Sequence, residues 1–222
     1  MQKFQVNDFE PASWLPNGHF QTVFASLLMP VPIPPYRREI LDLPDGDIIA
    51  ADWVDGDKHN PLLVLIHGME GNSESRYARL IMNECLARSW TGVVLHMRSC
   101  GGLINRLSTY YHAGFYQDIE YFLDKFLPSR GWAGTTYLAG ISLGGSQVVH
   151  YLAKGQAAEH VEAAAMISSP MDLRASADFM SRGLSRHYVM KFQKSLVAKY
   201  YLKREIINDA ELGRKLIAAQ NF

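Results

Sequence analysis

Apolar runs of strand length alternating with helical stretches predict an α/β fold for this 222-residue chain: a mainly parallel sheet flanked by helices. Three observations carry that expectation. Leu62-Leu63-Val64-Leu65-Ile66 is continuously apolar, as a strand buried on both faces must be. The strand–helix alternation then persists to Ile167, which makes repeated βαβ units. Ahead of them, Pro44-Asp45-Gly46-Asp47 is a turn signal between two short strand patterns, so an antiparallel hairpin joins the sheet.

In order, Arg37 to Asp42 and Ile48 to Val54 form the hairpin, and Leu62 to Ile66 is the first buried strand. A helix is predicted over Arg76 to Arg88, a strand over Gly92 to Leu95, and a helix with apolar helical spacing over Gly114 to Leu127. Thr136 to Ala139 reads as a strand, Gly145 to Lys154 as a helix and Val161 to Ile167 as a strand. Beyond Pro170 only helical patterns remain. Residues 1–174 are therefore expected to form the core, with 175–222 as a helical cap segment.

Composition narrows the partners. Hydrophobic residues make up 48%, charged residues 20%, and the net charge is zero, which excludes a disordered or nucleic-acid-coating chain. Residues 176–222 hold nine Lys or Arg against four Asp or Glu, a local +5 read as a solvated helical face. Cys85 and Cys100 have no metal or disulfide spacing, and no secretory leader pattern opens the chain, so a reducing, cytoplasmic location is expected. The apolar stretch Phe20 to Ile33 is interrupted by Pro30 and Pro32 and is expected to be buried in preference to resting on a membrane. Neither GxGxxG nor GxxxxGK[ST] occurs, so a nucleotide cofactor is not expected; none of any kind is, nor a metal.

The chemistry is expected at Gly140-Ile141-Ser142-Leu143-Gly144. A serine on a strained strand-to-helix turn needs small residues two positions to either side, and this pentapeptide lies between a predicted strand and a predicted helix. Ser142 is thus the candidate nucleophile, with Gly140 and Gly144 permitting the turn; a serine that merely caps the helix is the plain alternative. Acyl transfer also needs two backbone N–H groups aimed at the developing oxyanion. Leu143, after the serine, supplies one. Met69, in His67-Gly68-Met69-Glu70-Gly71 after the first buried strand, is the natural second, with Gly68 allowing the sharp turn and His67 fixing the loop by hydrogen bonding.

Five segments in sequence order resemble one family. They are Trp14-Leu15-Pro16-Asn17-Gly18-His19-Phe20-Gln21-Thr22, His67 to Gly71, Met97-Arg98-Ser99-Cys100-Gly101-Gly102, Tyr111-His112-Ala113-Gly114 with Asp118, and Gly140 to Gly145. Together they resemble the YheT-like branch of the α/β-hydrolases, which includes abhydrolase-domain esterases and lipases. The resemblance implies an α/β-hydrolase fold and a carboxylesterase or lipase acting on short-chain esters or acylglycerols. Two positions depart from the family pattern: Ser99 stands where glycine is usual, and Tyr116 where a small polar residue is.

In this fold the triad runs Ser, then acid, then His. Downstream of Ser142 the histidines are His150, His160 and His187, and the acids before the last of these are Glu159, Glu162, Asp172 and Asp178. His150 lies along the helix after the serine and His160 precedes a strand, so neither is expected at the site; Asp172 with His187 would be an unorthodox pairing. The family resemblance implies two further strands bringing an Asp and a Gly-Gly-His segment, which these residues do not contain. The expectation is a truncated, inactive serine hydrolase; the alternative is a non-catalytic binding or interaction module of the same fold.

Overall fold

The computed structural model describes residues 10–15, 17–24, 30–154 and 161–219. The chain divides into two compact units, Met1–Pro32 and Ile33–Phe222. In the first, helix α1 (Gly18–Val23) starts where Asn17 Oδ1 accepts the Phe20 N–H at 3.1 Å, a side-chain cap of the helix's first turn. Phe20 and Ile33, the two ends of the apolar stretch, are exposed; residues 25–29 between them lie outside the described residues.

The second unit is built on a six-stranded sheet of order β1-β2-β4-β3-β5-β6. Strands β1 (Arg37–Asp42) and β2 (Ile48–Val54) form the antiparallel hairpin, and β2 also runs antiparallel to β4 (Thr91–Leu95). The other pairings, of β3 (Leu62–Ile66) with β4 and β5 (Thr136–Ile141) and of β5 with β6 (Val161–Ile167), are parallel. The hairpin turns at Gly46, whose φ of 85° is open to glycine, and Gly46 N–H donates to Leu43 O at 2.9 Å.

The two faces of the sheet read directly off strand alternation. Leu62, Val64, Ile66, Val93 and Leu95 point to one side. There they meet α3 (Gln117–Tyr121), a π-helical turn (Phe122–Phe126) and α5 (Leu143–Lys154), with α4 (Leu127–Ser129) ending the π-helical run. Leu65 and Val94 point to the other side and meet Ala78, Met82 and Cys85 of α2 (Arg76–Ala87). Helices therefore cover both faces.

Two local differences from the sequence expectation have physical causes. The helix predicted from Gly114 begins at Gln117, because Phe115 N–H closes a turn onto His112 O at 3.0 Å. It then widens to a π turn, where Pro128 has no N–H to give the Asp124 carbonyl and one regular helical bond cannot form.

After β6 come α6 (Leu173–Met180), a 3₁₀ turn (Gly183–Ser185), α7 (Arg186–Ile207) and α8 (Ala210–Ala218). The +5 segment is not solvated throughout. Lys203 is fully buried on α7, donating to Asn105 Oδ1 at 2.7 Å, with its ammonium 4.2 Å from the centroid of the Tyr110 ring. Lys199, one turn earlier, is also largely buried. Both cations are drawn inward by oxygen acceptors that the strand-end loops leave under the helix. Among the described residues β6 pairs only with β5, and Met166 and Ile167 are exposed on it.

Candidate active site

Ser142 joins β5 to α5 with φ at 51°, a conformation that costs an L-residue about 1 kcal/mol. It is held there by its backbone. Its N–H donates to Ile167 O of β6 at 2.9 Å, and its carbonyl accepts from Gly145 N–H at 2.9 Å and Ser146 N–H at 3.3 Å. The glycines answer to steric need. A methyl at Gly140 would lie 2.5 Å from Gly145 Cα, and one at Gly144 would strike His67 O and lie 2.5 Å from Ile66 O. Gly145 is equally constrained, since a methyl there would overlap the Ser169 hydroxyl.

The loop after β3 comes to the same place. A methyl at Gly68 would sit 3.3 Å from Ser142 Cβ, so bare backbone passes beside the serine. Gly71 N–H donates to Gly68 O at 2.9 Å and closes a turn with Met69 and Glu70 at its centre, Glu70 having φ at 56°. Among the described residues, neither Met69 N–H nor Leu143 N–H, the first of α5, donates to any group.

His67 is fully buried, and both ring nitrogens are engaged. Nε2 accepts the Met97 N–H at 3.1 Å, which leaves the proton on Nδ1 to donate to Gly68 O at 2.7 Å. Burial, then the neighbouring His96, pushes its pKa down to about 3. It is a neutral brace for the loop with no nitrogen left for Ser142.

Other residues singled out in the sequence sit in buried ionic networks. Arg98 grips Asp118 with two bonds of 2.9 and 2.7 Å and reaches Asp45 at 2.7 Å and Asp47 at 2.9 Å. Burial alone would lower the Arg98 pKa, but Asp118 and Asp45 outweigh it and raise it above the usual guanidinium value. Ser99 has φ at 59°, where glycine would be unstrained, and its hydroxyl donates to Asn105 Oδ1 at 2.5 Å. Beneath them Asp52 receives Arg38, Ser73 and His96, at 2.8 Å from His96 Nε2; burial raises its pKa, and these donors overcome that to hold it well below the usual carboxylate range.

The downstream candidates are dispersed. Asp172 Oδ1 accepts the Ala175 N–H at 2.9 Å and caps α6. His150 Nε2 lies 3.6 Å from where a methyl on Gly114 would be, against the loop that carries His112. His187 is on an exposed face of α7, Glu162 and Asp178 are exposed, and Glu159 and His160 lie outside the described residues. No described side chain hydrogen-bonds the Ser142 hydroxyl. No group of three His, Cys, Asp or Glu among the described residues is placed to hold a metal.

Glu70 had no role in the sequence reading, yet it is the most tightly held side chain of the loop. Its carboxylate accepts from Tyr111, Ser195 and Lys199, and its N–H donates to Tyr111 Oη at 3.1 Å. The one hint in sequence is the spacing of Ser195 and Lys199, which stack on one face of a helix.

The model of the alpha/beta hydrolase fold family matches residues 61–196. YheT of Escherichia coli (strain K12) is 36% identical over 185 residues, which span 82% of this chain and 54% of that protein. The monoacylglycerol lipase of Saccharomyces cerevisiae is 30% identical over 132 residues, 58% of this chain and 28% of the lipase. The chain thus spans about half the length of YheT. Among solved structures, the Pyrococcus furiosus esterase Pf2001 superposes with a TM-score of 0.55 at 14% identity, covering 78% of this chain and 62% of the esterase. A soluble variant of monoglyceride lipase from Saccharomyces cerevisiae gives 0.53 at 14% identity, covering 71% and 54%. Those likenesses speak to the fold alone. With the elbow, the six-stranded sheet and the family match in agreement, the chain belongs to the α/β-hydrolase fold family, as a YheT-like member with esterase- and lipase-type hydrolases as its kin.

Proposed function

We propose that this chain carries the nucleophile and oxyanion half of a serine-esterase site for carboxylic esters, short-chain esters or acylglycerols, with Ser142 as nucleophile and the Met69 and Leu143 N–H groups as oxyanion donors. The observation that supports it best is the convergence of a serine at φ 51° with the Gly68 turn, beside two backbone N–H groups that have no other acceptor among the described residues. Attack by Ser142 Oγ on the ester carbonyl would place negative charge on the carbonyl oxygen, where those N–H groups stabilise it. Gly140, Gly144, Gly68 and His67 hold the geometry without touching substrate, and residues 175–222 serve as a cap.

Transfer of the serine proton needs a base, and none of the described residues hydrogen-bonds Ser142 Oγ. The chain alone is therefore proposed to be a poor catalyst. Hydrolysis of p-nitrophenyl acetate should match that of Ser142→Ala; turnover well above that variant would show that a base is present after all. The same bare hydroxyl favours a second reading, a binding module of hydrolase fold. In that case an ester analogue should bind equally well to the chain and to Ser142→Ala.

A further inference from the structure

The turn that carries Met69 is tied to helix α7, 129 residues away in sequence, through one buried carboxylate. Glu70 Oε1 accepts the Tyr111 hydroxyl at 2.5 Å and the Lys199 ammonium at 2.7 Å, and Oε2 accepts the Ser195 hydroxyl. Both charges are withdrawn from water, the Glu70 side chain being 6% exposed and that of Lys199 12%. Lys199 also donates to Cys100 Sγ at 3.3 Å. Tyr111 closes the ring by accepting the Glu70 N–H, so backbone and side chain of this residue are fixed together.

Two physical points make this more than an incidental ion pair. Burying a carboxylate and an ammonium is costly unless each is paired and hydrogen-bonded, a condition Glu70 meets with three side chains, one from the Tyr111 loop and two from α7. Moreover Glu70 has φ at 56°, where glycine would be unstrained. What Glu70 supplies at that position, and glycine could not, is the carboxylate.

We propose that Glu70 is a positioning residue: it latches the turn of Met69 to Ser195 and Lys199 of α7, so that the oxyanion donor is in place only while α7 is docked. This rests on the reading of Met69 as an oxyanion donor. Glu70 touches no substrate, and its effect passes through the Met69 peptide.

The test uses the full chain and its Glu70→Gln, Lys199→Met and Lys199→Arg variants, with two readouts. One is amide hydrogen exchange of residues 67–72; the other is the rate at which a fluorophosphonate forms an adduct at Ser142, with Ser142→Ala as control. Glu70→Gln and Lys199→Met should each speed exchange of the turn by about tenfold or more while the β3 and β4 amides are unchanged. Both should slow adduct formation by about tenfold, and Lys199→Arg should stay near the parent on both readouts. Unchanged exchange in both loss variants would overturn the latch, and so would a loosened turn with an unaltered adduct rate. If the parent chain forms no adduct at Ser142, the nucleophile reading fails separately, and the exchange readout alone decides the latch. Lys199→Met, lying outside the loop, covers the case in which Glu70→Gln does not fold.

Discussion

A methyl group on Gly144 has nowhere to go, because the carbonyls of Ile66 and His67 pass directly beside it. Gly144→Ala should lower unfolding stability by about 3 kcal/mol, measured by urea denaturation, since rigid backbone and not a pliable side chain stands in the way. His67 gives a second prediction at this scale. An unfolded imidazole takes a proton below about 6.5, and the buried one only below about 3. The unfolded state therefore binds more protons between those values, and stability falls as pH drops through the window. From pH 7 to 5 this group should remove about 2 kcal/mol, and His67→Gln should flatten that part of the profile. The glycines were legible in sequence because their fixed spacing around Ser142 marks a strand-to-helix turn, although the atoms that leave Gly144 no room, the Ile66 and His67 carbonyls, belong to a distant strand end. The latch at Glu70 was not, because its partners are Tyr111, Ser195 and Lys199, which only the fold brings together.

At the scale of elements, strand positions were the most readable feature: a buried strand has to be apolar, and Leu62–Ile66 and Val161–Ile167 stand where their patterns placed them. Helix α7 was the least readable. Its lysines look like a solvated face in sequence, yet two of them are what holds it down. Lys203→Met should destabilise the protein by about 2 kcal/mol or more, because it leaves Asn105 Oδ1 without its ammonium donor and adds to the uncompensated negative charge around Asp47. Hydrogen exchange should report the loss first in α7. Strand β6 carries a different liability. With Met166 and Ile167 exposed beside an edge unpaired among the described residues, it is a template for association. Light scattering should show concentration-dependent self-association, reduced by Met166→Lys.

At the scale of the whole molecule, the architecture brings the ends of β3 and β5 together, so that Gly68 and Ser142, 74 positions apart in sequence, lie side by side. The order β1-β2-β4-β3-β5-β6 puts those two strands side by side near the middle of the sheet, where strand ends meet with helices on both faces. No described helix is long and apolar enough to cross a membrane. The proposed role of Ser142, a nucleophile served by two backbone donors and no base among the described residues, is tested most directly by mass mapping after long exposure to a fluorophosphonate. The expected result is slow phosphonylation confined to Ser142 and absent from Ser142→Ala. Modification elsewhere, or at the same rate in Ser142→Ala, would contradict it.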